Sequence, residues 1–183
     1  KGAALAPPQL FAESVANAPG SHIAIELGLR GFNVTVTQRE SSALAAAMYA
    51  AAQIVKGVVP GALIGGVEEV NEMIFSVLDR LGALAGAGRS LRPFDRDRSG
   101  MLIGEGSAIL IAGGTAKYGY LSGFGIGRDT SASISDWGDN AEAVAPAIRP
   151  AIDDAGIDPS SIDAVYASAN GTVRADALEM AAL

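Results

Sequence analysis

Residues 31–43 read GFNVTVTQRESSA. The first half carries a β-branched run, Val34-Thr35-Val36-Thr37, whose doubly substituted Cβ atoms favour extended backbone. The run stops at Gln38-Arg39-Glu40. From Ser41 to Lys56, Ala, Leu, Met, Ile and Val then dominate almost the whole helical circumference, as in a buried helix. The pattern predicts a strand near 33–38, a tight turn, and a helix over 41–56 with Ser41 or Ser42 as its N-cap. Many enzymes hold up a nucleophile on such a strand, turn and helix. Here the residue at the bend is a carboxylate, Glu40.

Outward from this turn, strands and helices alternate. On the N-terminal side, PPQLFAESVANAPG predicts a short helix with Pro at its start and Pro19-Gly20 after it. SHIAIELGLRG predicts a second, capped by Ser21, with an apolar stripe of Ile23, Ala24 and Leu27. On the C-terminal side, GALIGGVEE predicts a strand ending on Gly65-Gly66. EVNEMIFSVLDRLGAL has apolar residues at 70, 73, 74, 77, 78 and 81, a helical period. A polar, Gly-rich loop covers about 85–100. MLIGEGSAILIA predicts a strand interrupted by Gly-Glu-Gly, and AKYGYLSGFGIG a second strand. Between these two the chain runs through Gly113-Gly114 alone, which reads as a hairpin unless residues near 112–113 are absent. A helix is expected over 139–155, ended by Gly156 and followed by Asp158-Pro159. IDAVYASAN predicts a strand and VRADALEMAAL a last helix. The alternation gives an α/β layered fold. No compositional linker divides residues 1–183.

Composition narrows the function. The chain has 183 residues, 49% hydrophobic, with a formal charge of −7. A basic surface for nucleic acid is not expected, nor a polybasic membrane anchor. No apolar run reaches the roughly 18–20 residues of a membrane span, and no basic, apolar leader is expected. The expected compartment is the cytoplasm. There is no Cys and one His, His22, so thiolate chemistry is excluded within these residues.

Other signals have bland readings. His22, among apolar residues, reads as a packed helix residue. Gly65-Gly66 has no following Lys-Ser/Thr, so it reads as a close turn rather than a phosphate loop. Gly123, Gly125 and Gly127 lack dinucleotide spacing. Glu68-Glu69 and the pair Asp95 and Asp97 lack a metal-site pattern. Arg92, Arg96 and Arg98 suit either an anionic ligand or acidic partner, or an internal ion-pair set with Asp95. The second reading is preferred. No cofactor or metal is expected.

Residues 92–111, RPFDRDRSGMLIGEGSAILI, closely resemble the β-ketoacyl synthase signature at Arg92, Pro93, Phe94, Asp95, Arg98, Gly100, Gly104, Glu105 and Gly106. LGLRGFNVTVTQRESSALAAAMYAAAQIVKG resembles that family's nucleophile segment and the helix after it. GALIGGVEE, LSGFGIGRDTSA, DAGIDPSSID and ASANGT follow in family order. The resemblance implies a thiolase-like, layered α/β/α/β/α fold of which residues 1–183 form part, the end of one half and the start of the other. It implies a dimer, of two copies or with an active condensing subunit, and an acyl carrier protein that brings its acyl substrate on phosphopantetheine.

The departures from the family carry the functional message. Counting from Gly31, the nucleophilic cysteine falls on Glu40. The first catalytic histidine falls on Asn170 of SANGT. The Asp-x-x-Glu that follows is Asp176-Ala177-Leu178-Glu179, about two residues closer than usual. A carboxylate is a poor nucleophile toward a thioester, yet a helix N-terminus favours it as it favours thiolate. Asn donates a hydrogen bond but shuttles no proton near pH 7. Three readings follow. The first, adopted here, is a non-condensing partner similar to chain-length-factor subunits of polyketide synthases. The second is an atypical malonyl decarboxylase. The third is a structural or regulatory relative, or an enzyme with relocated chemistry, for which Ser41 and Ser42 are candidate hydroxyls. Helix capping is the preferred role for both serines.

Overall fold

The computed structural model describes residues 7–115, 117–133 and 138–183. The chain divides into two compact units, residues 1–66 with 108–117, and residues 67–107 with 118–183.

In the first unit, α1 (Pro8–Ser14) and α2 (Ala18–Glu26) pack together. Pro19-Gly20 does not separate them. Both residues lie inside α2, because the first helical turn has no use for the N–H that proline lacks. Ser21 therefore sits within the helix, and Asn17 precedes it without a side-chain cap. The expected strand at 33–38 forms no ladder. A short 3₁₀ turn, Arg39–Ser41, leads straight into α3 (Ser42–Val55). Phe32, Val34 and Val36 alternate onto one side and line an apolar recess of about 70 Å³ with Tyr49 and Ala50 of α3 and Ile64. Phe32 and Tyr49 meet edge to face, with centroids 5.5 Å apart. Ala18, Ala50 and Ile64 are the buried apolar residues among those described.

β1 (Gly61–Glu68) pairs with β2 (Gly106–Gly113), the one two-stranded sheet among the described residues. β1 does not end at Gly65-Gly66 but runs through it. A Cβ on Gly65 would lie 3.1 Å from the Ile109 side chain and 3.3 Å from the Ala108 carbonyl oxygen, so glycine there serves close strand approach. Only an isolated bridge, Leu84 with Met101, marks the start of the expected 101–112 strand.

The second unit begins with α4 (Glu72–Arg80), capped by Asn71, whose Oδ1 accepts the Ile74 N–H at 2.9 Å. The helix expected over 139–155 is broken. α5 (Ala141–Val144) passes through a 3₁₀ turn, Ala145–Ala147, into α6 (Ile148–Ala155). Pro146 lies in that 3₁₀ turn and cannot donate to it. α7 (Val173–Ala182) packs on α5. The expected strands at 117–127 and 162–170 form no ladder, so Gly113-Gly114 closes no hairpin. Ala116, first residue of the expected strand, lies outside the described residues. A strand exists only when its N–H and C=O groups find a partner strand, and alternation in the sequence supplies none.

Candidate functional site

Glu40 sits in the middle of the 3₁₀ turn at the mouth of α3, with its side chain exposed. Arg39 before it has φ 53°, a left-handed conformation that costs a non-glycine residue about 1–2 kcal/mol. The bend is held by the serines. Gln38 N–H donates to Ser42 Oγ at 2.7 Å, and Ser42 Oγ–H donates to the Arg39 carbonyl at 2.6 Å. Ser41 Oγ–H donates to the Gln38 carbonyl at 2.9 Å. Neither hydroxyl caps α3 as expected: Ser41 has helical backbone, φ −84° and ψ −1°, rather than the extended conformation of a capping residue, and Ser42 is already inside the helix. A carboxylate here meets the partial positive charge of a 14-residue helix.

In the second unit, Asn170 ends the 162–170 stretch, half-buried, just before α7. Its Oδ1 accepts the Thr172 N–H at 3.1 Å and the Thr172 hydroxyl at 2.8 Å. That fixes the amide orientation and leaves Nδ2 as the group with donors to offer. Beneath it lies Asp176, 1% exposed. Its Oδ1 accepts the N–H groups of Asn170 at 3.0 Å and Gly171 at 3.2 Å, and its Oδ2 accepts the Phe94 N–H at 2.9 Å. Glu179, one helical turn on, accepts the N–H of Ser168 at 2.8 Å and its hydroxyl at 3.0 Å. The Asp-x-x-Glu spacing thus puts two carboxylates on one face of α7. Glu179 is spent on Ser168 of the loop that carries Asn170, and Asp176 on that loop and on Phe94.

Arg98 pairs with Asp176 at 3.9 Å, not with Asp95. Asp95 gives Arg98 its backbone carbonyl at 2.9 Å, while its side chain accepts the Asp97 N–H at 2.7 Å. Tight local turns claim Asp95 before any guanidinium does. Arg92 reaches the Ser90 hydroxyl at 3.4 Å, and Arg96 is exposed. His22 lies in α2 with its side chain exposed rather than packed; Ile23 and Ala24 take the half-buried places, and water solvates the imidazole at no cost. Gly123, Gly125 and Gly127 press against Ala147, Ala151 and Ala155, where any Cβ would strike backbone or side chain. They serve helix contact. Among the described residues, no group of three or more His, Asp or Glu side chains is placed to hold a metal ion. No helix among them is long and apolar enough to cross a membrane.

Residues 5–115 match the family description Beta-ketoacyl synthase, N-terminal domain, and residues 118–183 match Beta-ketoacyl synthase, C-terminal domain. The chain belongs to the β-ketoacyl synthase family. Nodulation protein E of Rhizobium leguminosarum bv. trifolii is 30% identical over 176 residues, 91% of the chain and 43% of that protein. A Streptomyces virginiae protein named as a polyketide beta-ketoacyl synthase is 28% identical over 187 residues, 96% of the chain and 44% of that protein. Among solved structures, the ishigamide ketosynthase/chain length factor superposes with a TM-score of 0.85 at 30% identity, over 96% of the chain and 45% of its own. The ketosynthase ApeO in complex with its chain length factor ApeC, from Xenorhabdus doucetiae, gives 0.84 at 25% identity, over 94% and 42%. The chain spans less than half the length of each of these relatives. Its fold is part of the thiolase-like α/β architecture of ketosynthases.

Sequence reasoning missed Asp176 as the organiser of the Asn170 turn. Its one visible signal was the shortened Asp-x-x-Glu. The left-handed Arg39 and Phe94 (φ 61°) had no signal at all, since neither is Gly, Asn or Asp.

Proposed function

We propose that this chain is part of a non-condensing β-ketoacyl synthase-like protein of fatty-acid or polyketide biosynthesis, a cytoplasmic subunit akin to a chain length factor. The observation that carries the proposal is the carboxylate of Glu40 at the mouth of α3. A thiolate there takes an acyl group as a stable thioester. A carboxylate attacking a thioester must expel the better nucleophile and form a mixed anhydride, which the reverse reaction consumes. Glu40 therefore fills and polarises the mouth of α3 without a covalent step. Asn170, with Oδ1 committed to Thr172, offers Nδ2 as a donor but takes up no proton.

The same charge counts against a malonyl decarboxylase, because Glu40 would repel the carboxylate that such an enzyme must bind. The partners are a condensing subunit or a second copy of the protein, and transiently an acyl carrier protein bearing its chain on phosphopantetheine. The solved relatives named above, a ketosynthase/chain length factor and a ketosynthase in complex with its chain length factor, support that choice.

The test is reconstitution. The full chain, mixed with acyl and malonyl carrier protein, forms no β-ketoacyl product alone, and product appears when a condensing subunit that co-purifies with it is added. Product formed by the full chain alone overturns the proposal.

A further inference from the structure

We infer that Asp176 is a two-sided clamp, and that the segment Phe94–Gly100 and the turn Asn170–Asp176 open as one unit, with Phe94 as the hinge. The two carboxylate oxygens serve different segments. Oδ1 holds the N–H groups of Asn170 and Gly171, and Oδ2 holds the N–H of Phe94, 82 residues away. Gly171 N–H is shared with Oδ2 at 3.2 Å. Arg98 ties the same two segments from the other direction. Its Nη2 donates to the Val173 carbonyl at 2.7 Å, its Nε to that of Thr172 at 3.4 Å, and it balances the charge of Asp176. Gly100 N–H adds a bond to the Gly171 carbonyl at 3.0 Å.

Phe94 stands in the left-handed region, φ 61°, where its Cβ crowds the backbone. Nothing intrinsic to phenylalanine keeps it there. The bond from its N–H to the buried carboxylate does, so release of that bond lets the backbone relax to ordinary φ and swing the segment. Strain of this kind persists only where the surroundings over-determine it. The clamp stands on geometry alone. Its consequence, that the Asn170 amide moves with the Phe94 segment, rests on the proposed role of Asn170.

Asp176→Asn weakens the clamp in either orientation, because the new NH₂ faces donors: the N–H groups of Phe94 and Gly171, with Arg98 beyond, in place of Oδ2, or those of Asn170 and Gly171 in place of Oδ1. Amide hydrogen exchange, read residue by residue in the full chain, tests this without any acyl carrier protein or condensing subunit, so its failure is distinct from failure of the functional proposal. In the unsubstituted chain, the protection factors of Phe94, Gly100 and Gly171 agree within about threefold, as for one opening event. In Asp176→Asn, protection of Phe94, Gly100 and Gly171 falls together by about ten- to a hundredfold, the loss expected for a bond to a charged acceptor. A spread beyond about threefold in the unsubstituted chain, or an unchanged Phe94 in the variant, overturns the clamp. If Asp176→Asn does not fold, the unsubstituted chain alone decides.

Discussion

Asp129 accepts the N–H of Ser131 at 2.8 Å and its hydroxyl at 2.7 Å on Oδ1, and the Asn140 N–H at 3.1 Å on Oδ2. These bonds favour the charged form. The Ser131 hydroxyl is the largest cause and the Ser131 N–H the next, and together they hold the carboxyl below its ordinary value. Because the folded pKa is lowered, the stabilisation is present above the unfolded value of about 3.9 and is lost as pH falls through the lower folded value. We predict that a carbon-detected titration places the Asp129 midpoint below that of a model peptide. The Ser131 and Asn140 amides should lose protection only in that acid range, and Asp129→Asn should remove the dependence. A midpoint at or above the peptide value contradicts the geometry. Side chains such as Asp158 and Asn71 bond within a few residues and leave local signals. Glu40 and Asn170 were singled out because motif spacing counts them off from Gly31 and within SANGT. Asp176 was not legible as a clamp, since a partner 82 residues away writes nothing beside it. The nearest opposite charge, Asp95, drew the assignment of Arg98 and was wrong for that reason.

At the scale of elements, helices close in one recurrent way. α3 ends at Gly57, φ 71°, and the Val58 N–H reaches back to the Gln53 carbonyl at 3.0 Å. α4 ends likewise at Gly82, with Ala83 N–H on the Leu78 carbonyl at 3.0 Å. This Schellman closure needs a left-handed residue. A Cβ on Gly57 would touch nothing within 4 Å, so substitution there isolates the backbone term. We predict that Gly57→Ala lowers the unfolding free energy of the full chain by about 1 kcal/mol or more in denaturant titrations. Gly66→Ala, also in open space but without positive φ, should be neutral or stabilising by up to about 1 kcal/mol. Equal effects would sink the argument. The helices were legible because their period and stop signals lie within one segment. The stretches at 33–38, 117–127 and 162–170 have strand composition but no ladder among the described residues, because pairing is a property of two segments. Pro146 likewise breaks the single helix expected over 139–155.

At the scale of the whole molecule, apolar residues stand open on each unit. In the first, Ile109, Leu110 and Ile111 of β2 are 52%, 64% and 83% exposed; in the second, Met73 is 70% exposed on α4. Patches of this kind ask for cover, and the relatives are more than twice as long as this chain. Against that frame, the distinguishing feature remains one side chain at one helix mouth. The measurement that tests its meaning most directly is intact mass. The full chain is incubated with an acyl carrier protein charged with acyl groups, beside its Glu40→Cys variant. We expect the unsubstituted chain to keep its mass, and the variant to gain one acyl group per chain. An acyl adduct on the unsubstituted chain that disappears in Glu40→Ala would show the carboxylate to be a nucleophile, and would contradict the account.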